Sequence, residues 1–333
     1  MEVGSGPLRI AVVSDGRAGM ENQALGLAQA VGRLIPAEIT THRIRWRPVF
    51  DWLPVAFKSP WMLDSASPLP GPGQAWPHLW IATGRASVPL SLATRRLSQG
   101  RTFVVQTQDP RLDPGLFDLV VAPKHDDLAG PNVVAVTGSP HRIAAQGLAE
   151  AAPAFAARID PLPHPRVAVL IGGRSRVYDL TPEHAAALAD QIAGAVTAAG
   201  GSLMLTVSRR TPDAAKAVLT ERLRDLPGWI WDGEGPNPLF AFLAAADHVL
   251  VTEDSANMAA EAASTGKPVH ILPMIALRPP GKFARLHADL AAQGATRPFD
   301  GTLPVWTYTP LAETDRAAEA ILRAMALRSP PRP

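Results

Sequence analysis

The sequence predicts an α/β protein made of two Rossmann-like domains in tandem. Short apolar runs alternate with alanine- and leucine-rich helical stretches along most of the chain. The apolar runs are continuous rather than alternating, which is typical of parallel strands that are covered on both faces. A proline-rich stretch at residues 160–166 (DPLPHPR) interrupts this pattern near the middle of the 333 residues, so a linker is expected there.

The first half contains five predicted strands. The first is followed by a glycine-containing loop and a helix that runs to about residue 34, and another helix is expected at residues 143–157. The five strands are expected at residues 8–14, 78–83, 102–107, 118–122 and 132–137.

The alternation restarts after the linker. Thr181 is a plausible N-cap for a helix that has Pro182 at its first position. Strands are expected at residues 167–171, 202–207, 248–252 and 268–272, and a last helix at residues 311–327. The predicted domains therefore cover residues 1–158 and 166–308, followed by a C-terminal helical segment at residues 309–333.

Composition excludes several classes of function. The chain has no cysteine, which removes disulfides, thiolate nucleophiles and iron–sulfur clusters. Its net charge is +2 and no run of Lys or Arg forms a stripe, so general nucleic-acid binding is not expected. No secretory signal and no membrane-spanning apolar run is visible. We therefore expect a cytoplasmic protein, or one that is peripheral to the inner membrane.

Candidate phosphate-binding groups follow two strands of the second half. Gly172 and Gly173 would let backbone N–H groups approach a ligand, and Arg174 could pair with a phosphate. Ser208 and Arg209 follow the next strand. An ordinary glycine turn and a threonine-capped helix with solvated arginines are the alternative interpretations of these two segments.

The most informative junction follows the strand at residues 248–252. Either Asp254 or Ser255 would cap the next helix, and the N–H groups of that helix start could face a diphosphate. Glu261 lies seven residues after Asp254 on the same helix face, where its carboxylate could accept hydrogen bonds from ribose hydroxyls. A surface glutamate in a salt bridge is the alternative. The residues of the helix start are Ser255, Ala256, Asn257 and Met258.

The first half offers candidates for acid–base chemistry and substrate binding. Asp15 or Glu21 could act as a general base in the loop after the first strand, and Asp109 is the second choice for a catalytic carboxylate. Polar residues in the same two loops would bind substrate: Gly16, Asn22, Gln23 and Gln108.

Other motifs are absent from the sequence. The first loop is not G-x-G-x-x-G, and Gly266-Lys267 lacks the remaining residues of a P-loop. Ser175 lacks the second glycine of a nucleophile elbow. The nine histidines show no metal-binding spacing. We therefore expect no cofactor and no metal, with a metal site built from scattered carboxylates as the alternative.

Five segments together resemble the mitochondrial-fission ELM family, whose bacterial members are mostly uncharacterised. The resemblance extends from about residue 10 to residue 274 and keeps the family's order. For the plant founder of the family, this membership implies a role in organelle division and in recruiting a dynamin-related protein. Arginine and alanine richness is typical of a high-GC bacterial genome. The segments are DGRAGMENQALGLA, QTQDPR, VAVLIGGRSRVYDL, TVSRRTP and VTEDSANMAAEAASTGKPV.

The last of these segments is also similar to the donor-binding region of GT-B glycosyltransferases. That resemblance implies two domains facing a cleft and a C-terminal helix that crosses back to the N-terminal domain. It also implies that the residues from Ser255 to Met258 hold the diphosphate and that Glu261 binds the ribose. The chain departs from the pattern where Ala256-Asn257 replaces Gly-Gly, and its N-terminal loop is not a glycine-rich acceptor loop.

Two hypotheses from different classes follow. In the first, which the GT-B resemblance implies, an enzyme transfers a sugar from a nucleotide-diphosphate sugar to an unknown acceptor without a metal, with Asp15 or Asp109 as base. Hydrolysis and epimerisation would use the same donor site. In the second, the chain is a non-catalytic scaffold that recruits a partner at a membrane surface. The tryptophan-containing stretch at residues 45–61 would either dock a lipid-linked acceptor at a membrane or form a packed insertion.

Overall fold

In the computed structural model, which describes residues 6–54, 57–71 and 74–328, the chain folds into two compact α/β units. One unit combines Met1–Arg142 with Ala312–Pro333, and the other is Ile143–Leu311. Each unit contains a parallel six-stranded sheet. The predicted fold class, α/β with two Rossmann-like sheets, is confirmed.

The first sheet has the order β2-β1-β3-β4-β5-β6, with every pair parallel. Its strands are β1 (Leu8–Ser14), β2 (Ala37–Arg43), β3 (Leu79–Thr83), β4 (Phe103–Thr107), β5 (Leu119–Pro123) and β6 (Val133–Val136). The α-helices of this unit are α1 (Ala18–Leu34), α2 (Pro48–Asp51), α3 (Val88–Leu97) and the last helix of the chain, α11 (Glu313–Leu327).

The second unit is built on the sheet order β10-β9-β7-β11-β12-β14, and a short antiparallel pair, β8 with β13, lies outside it. Its strands are β7 (Arg166–Ile171), β8 (Tyr178–Asp179), β9 (Ser202–Val207), β10 (Gly228–Ile230), β11 (His248–Thr252), β12 (Val269–Leu272), β13 (Ile275–Ala276) and β14 (Thr296–Pro298). Its α-helices are α4 (Ala145–Ala151), α5 (Ala156–Ile159), α6 (Pro182–Ala198), α7 (Asp213–Leu223), α8 (Leu239–Ala245), α9 (Ala256–Ala263) and α10 (Lys282–Ala292).

Both sheets are covered on each face, which explains the continuous apolar runs. In the first unit, alternate residues of β1 pack under α1 and α11, while the others face the side of α3. In the second unit, one face of β7 packs on α6 and α7 and the other on α8 and α9. The apolar residues of β1, β7 and β11 are therefore buried.

The helix α11 belongs to the first unit. It packs against α1, and Ala317, Ile321 and Met325 lie buried in the core of that unit. The Glu313 carboxylate at its start accepts a hydrogen bond of 2.7 Å from the Thr137 amide. The crossing back of the last helix that the fold prediction contains is therefore observed.

One predicted helix differs from the structure, and one predicted helix cap is observed. The helix expected at residues 143–157 is broken into α4, a 3-10 turn at Ala152–Phe155 and α5. Pro153 lies in that turn and has no N–H group to continue a helical ladder. Thr181 does cap α6 as predicted, because its hydroxyl accepts a 3.2 Å hydrogen bond from the His184 amide.

Two neighbouring histidines lie in the core of the second unit. Nδ1 of His248 is 3.3 Å from Nε2 of His270, and both residues are buried. The His270 ring also packs edge-on against Trp306. Burial lowers the pKa of His270 to about 4, with a further lowering from His248 and Arg297 and a small opposing effect from Asp300.

The histidine pair predicts a loss of stability in acid. Between about pH 6.5 and pH 4 an unfolded histidine binds a proton that folded His270 does not, so the contribution of His270 to the free energy of unfolding falls as the pH falls, by about 2–3 kcal/mol. His270→Leu should remove most of this pH dependence. Urea unfolding of both proteins at about pH 7.5 and about pH 4.5 measures it. An unchanged pH dependence in the variant would show that His270 does not cause it.

Candidate functional site

The candidate site of the second unit lies at the carboxyl ends of β9, β7 and β11. The chain starts this sheet at β7, continues to one side through β9 and β10, and then crosses to the other side at β11. The crevice outside the strand ends at such a switch point is where ligands bind in open α/β sheets. The loops after these three strands contain the motifs that the sequence analysis identified in this half.

Asp254 connects the three loops. Its side chain is fully buried, and Oδ2 accepts hydrogen bonds from the Gly173 amide at 3.0 Å and from Nη2 of Arg210 at 2.8 Å. Oδ1 accepts a 2.7 Å bond from the Thr252 hydroxyl, which itself accepts from the Gly172 amide at 2.7 Å. A buried carboxylate with these partners is fully hydrogen-bonded. We call this set of five residues the Asp254 network.

The two glycines are packed against the network. A β-carbon at Gly172 would overlap the carboxylate of Asp254, and one at Gly173 would overlap the carbonyl group of Arg210. Glycine is therefore needed at both positions for steric reasons. Their N–H groups, which the sequence suggested as ligand donors, are occupied by Thr252 and Asp254.

The polar residues after β7 and β9 divide into structural and available groups. Ser208 accepts a 3.1 Å hydrogen bond from the Arg210 amide and so orders its own loop. Arg209 is exposed and has no partner among the described residues. Arg174 is also exposed, with Nε 3.6 Å from Asp179. Arg174 and Arg209 thus remain accessible to an anion, whereas Arg210, the second arginine of the predicted segment after β9, holds Asp254.

The start of α9 has two amides without partners. Ser255 is the N-cap, and its hydroxyl accepts a 3.4 Å hydrogen bond from the Met258 amide, so of the two predicted caps it is Ser255 that acts. The amides of Ala256 and Asn257 have no acceptor among the residues that the structure describes. Unpaired amides at a helix start, together with the helix dipole, favour an anion.

Glu261 is a buried carboxyl group without a partner. The residue is 9% exposed, and none of the described residues hydrogen-bonds or ion-pairs with its carboxyl group. Burial raises its pKa to about 7. The surface salt bridge that was the alternative interpretation is therefore absent within the described chain. A buried carboxyl group left unpaired is costly, and such groups are concentrated at binding and catalytic sites.

The Gly266-Lys267 segment is structural. Nζ of Lys267 donates to the carbonyl oxygens of Ala244, at 2.6 Å, and of Ala246, both at the end of α8. Burial lowers the pKa of Lys267 to about 8. Its ammonium group therefore closes a helix C-terminus, where a cation is favourable, and is not available to a phosphate.

In the first unit, the two candidate catalytic carboxylates form the same local structure. Asp15 accepts a 3.1 Å hydrogen bond from the Arg17 amide and pairs with its guanidinium at 2.5 Å. Asp109 accepts 2.8 Å from the Arg111 amide and pairs with that side chain at 3.0 Å. Each carboxylate thus orders its own turn and has a neighbouring arginine as counter-ion.

Glu21 is committed to an ion pair. Nε and Nη2 of Arg43 donate to its two carboxylate oxygens at 2.7 and 2.8 Å, and the Ser14 hydroxyl donates at 3.1 Å. Arg43 holds the pKa of Glu21 below its usual range. A carboxylate so stabilised in its ionised form is a weak base, so Glu21 is not suited to act as a general base.

The predicted binding residues of the first unit come together in part. Nε2 of Gln108, which has a φ of 66°, donates to Oε1 of buried Gln23 at 3.0 Å, so the loops after β1 and β4 meet. Gly16 adopts a φ of 78°, a conformation that glycine allows without strain. Asn22 is half-buried and has no partner among the described residues.

Sequence reasoning missed Thr83 and Thr107 at the ends of β3 and β4. They are register partners, and their buried hydroxyls have no hydrogen-bond partner in the described chain. Each is the last residue of an apolar run, and nothing in the sequence of such a run shows that this hydroxyl has no partner. The described residues contain no group of three His, Cys, Asp or Glu placed to hold a metal, and no helix with the length and apolar composition to cross a bilayer.

Comparison with known proteins decides the family. The model of the family described as "Mitochondrial fission ELM1" matches residues 18–325. The chain belongs to the mitochondrial fission ELM1 family. It is 33% identical to mitochondrial fission protein ELM1 of Arabidopsis thaliana in a match that spans 76% of this chain and 65% of the plant protein. It is 24% identical to the uncharacterized protein RP120 of Rickettsia prowazekii, over 96% of this chain and 99% of that one.

Solved structures show the fold class of this ELM1-family chain. It is similar to UDP-GlcNAc 2-epimerase from Methanocaldococcus jannaschii, a structure in complex with UDP-GlcNAc and UDP, with a TM-score of 0.52 and 13% identity. The likeness covers 97% of this chain and 100% of that one. At this identity it shows the fold alone, which is that of the GT-B glycosyltransferases and epimerases.

Proposed function

We propose that this ELM1-family chain binds a nucleotide-diphosphate sugar in its second unit, at the start of α9. The observation that carries the proposal is Glu261, a buried carboxyl group without a protein partner. Its place on α9, after the two unpartnered amides of Ala256 and Asn257, suits a ligand with an anionic group and a hydroxylated sugar nearby. The vicinal hydroxyls of a ribose would supply the hydrogen bonds that Glu261 lacks.

The diphosphate would be held by groups that the fold leaves available. These are the two amides at the α9 start and the guanidinium groups of Arg174 and Arg209, which are exposed. Arginine pairs with phosphate oxygens through two parallel hydrogen bonds. The Asp254 network keeps the three loops in register without itself touching the ligand.

The chemistry that follows from such a site is transfer of the sugar to an acceptor, without a metal. Helix dipole and arginines would stabilise the charge that develops on the leaving diphosphate. For the base that takes the proton of an acceptor hydroxyl, the sequence prediction is retained, with Asp15 preferred over Asp109. A lipid-linked or membrane-surface acceptor is the candidate class, while hydrolysis or epimerisation would use the same donor site.

Thermal-shift measurements with UDP, GDP, CDP and their sugars test the proposal. A ligand at about a hundred times its Kd stabilises the native state by about 2.7 kcal/mol, so one of these nucleotides should raise the Tm of the wild-type chain. Glu261→Gln should weaken that nucleotide about tenfold or more, because a hydrogen bond to a charged group is lost. Glu221→Gln, at an exposed site, is the control and should bind as the wild type does.

The stability of Glu261→Gln without nucleotide shows whether a lost thermal shift reflects lost binding or unfolding. Because the folded pKa of Glu261 is raised to about 7, folded protein holds a proton that unfolded protein releases, and stability is lost as pH rises through 7. Glu261→Gln should therefore be at least as stable as the wild type at about pH 8, so that a lost shift cannot reflect unfolding. No shift with any nucleotide in folded wild-type protein would contradict the proposal.

A non-catalytic scaffold is the second candidate, and one observation favours it. The amides of Gly172 and Gly173 are occupied by protein side chains rather than left open for a phosphate. In that case the GT-B fold would have been retained to recruit a partner at a membrane surface. Unchanged biological function of the Asp15→Ala and Glu261→Ala variants, together with absent nucleotide shifts, would support the scaffold.

A further inference from the structure

The stretch at residues 45–61 places large apolar side chains on the surface of the first unit. Trp46 is buried and anchors the stretch, with its Nε1 donating to the Ala86 carbonyl at 3.0 Å. Four others are between 62% and 78% exposed: Val49, Trp52, Phe57 and Trp61. We call these four the aromatic patch. So many large apolar side chains exposed within a short stretch indicate an interaction surface.

The aromatic patch is ordered by local contacts. Nε1 of Trp52 donates to the Val49 carbonyl at 2.8 Å, so the only polar group of this indole is already paired. The ring of Trp61 meets the ring of Phe50 edge-on, with centroids 5.2 Å apart. Trp52 can therefore enter an apolar phase without breaking a hydrogen bond to water.

A basic groove continues from the patch. It has a volume of about 680 Å³, and Lys58, Ser59 and Pro60, which lie between Phe57 and Trp61 in the chain, form one side of it. Among the described residues, those that line it include four cationic side chains and no acidic one. These cations are Lys58, Arg95, Arg96 and Arg328.

The charge of the groove is only partly compensated. Asp118, a largely buried carboxylate, pairs with Arg95 at 3.2 Å and with Arg328 at 3.3 Å, and also accepts from the Val104 amide. Lys58 lies over the ring of Trp46, 5.1 Å from its centroid. Arg96 is exposed and has no partner among the described residues. Arg95 and Arg328 thus share one carboxylate, and Arg96 has none among the described residues, which gives this part of the groove a net positive charge.

We propose that the aromatic patch and the basic groove together dock the first unit on an anionic phospholipid membrane. Tryptophan and phenylalanine are favourable at the boundary of headgroups and acyl chains, and neighbouring arginine and lysine attract anionic headgroups. The combination favours a lipid surface over nucleic acid, which requires a track of cations rather than an apolar patch beside a short groove. This inference stands without the nucleotide proposal.

Vesicle co-sedimentation of the full chain tests the proposal. The wild type should bind vesicles of phosphatidylcholine with phosphatidylglycerol more tightly than vesicles of phosphatidylcholine alone, and salt should weaken the binding. Lipids with brominated acyl chains should quench its tryptophan fluorescence. Trp52→Ser with Trp61→Ser should lower the partition coefficient about tenfold or more, since both indoles leave water on docking. Arg96→Glu should lower it about tenfold on the anionic vesicles alone.

Matched variants separate docking from general effects. Arg278→Glu makes the same change of net charge at an exposed residue of the second unit that does not line the groove, and Val305→Ser removes an 80% exposed apolar side chain elsewhere. Both should bind as the wild type does, and unchanged Tm values should show that all variants are folded.

Three results would overturn the proposal. The first is the absence of wild-type binding to either vesicle. The second is binding that neither the tryptophan nor the Arg96 variant reduces. The third is evidence for another occupant of this surface. Such evidence would be either a dimer in light scattering that the double tryptophan variant converts to monomer, or tight binding of a single-stranded oligonucleotide without vesicle binding.

Discussion

Asp254→Ala is expected to lower the free energy of unfolding by about 2–4 kcal/mol, because the amide of Gly173 and the hydroxyl of Thr252 would each lose a buried acceptor. The Arg210 guanidinium, whose side chain is 45% exposed, can turn to water and adds little to the loss. Asp254→Asn retains one oxygen acceptor and should cost about half as much.

Urea unfolding at neutral pH measures this effect. Asp190→Ala is the matched control, since it removes a carboxylate that also pairs with an arginine but is 62% exposed. The control should stay within about 0.5 kcal/mol of the wild type. If Asp254→Ala also stayed within that range, the network would not stabilise the junction of the three loops.

Gly26→Ala is expected to lower the free energy of unfolding by about 2–3 kcal/mol, although alanine is normally the better helix former. An added β-carbon at Gly26, in the middle of α1, would overlap the backbone carbonyl group of His141. Neither backbone segment can yield as a flexible side chain would, so α1 or the loop at residues 138–142 must shift.

Gly32 supplies a control within the same helix. A β-carbon there would meet the side chains of Ala37, at 3.8 Å, and Ile39, at 3.9 Å, and both are ordinary contacts. Gly32→Ala should therefore stabilise the protein by about 0.5–1 kcal/mol. Thermal and urea unfolding of the two variants should give opposite signs. The same sign for both would show that the close approach at Gly26 is not what requires glycine.

The sequence predicts the strands that are buried on both faces, because continuous apolar runs such as LRIAVVS leave little alternative. It does not predict β2. That strand lies at the edge of its sheet, and its residues AEITTHR alternate between half-buried and exposed, so the strand has no continuous apolar run. The strands β10 and β14 form the two edges of the second sheet, and the sequence does not predict them either. Each has three residues, which is too short for a recognisable apolar run.

The parts of the candidate site that depend on residues close together in the sequence could be predicted. The i to i+7 spacing places Glu261 on the helix that follows Asp254, and a serine before an alanine-rich stretch predicts the cap. The Asp254 network was not predictable, because the Gly172 amide finds its acceptor 80 residues away along the chain. Which of two adjacent arginines, Arg209 or Arg210, holds Asp254 depends on side-chain direction after β9, and sequence spacing carries no information on that direction.

The position of α11 has a consequence for biosynthesis. Residues 143–311 are inserted between the two parts of the first unit, so the whole second unit leaves the ribosome before the helix that covers α1 does. Until then the α1 surface that receives Ala317 and Ile321 is open to water, and a nascent chain stalled before residue 312 would present it to chaperones. The unit that is translated first is therefore the one that completes its folding last.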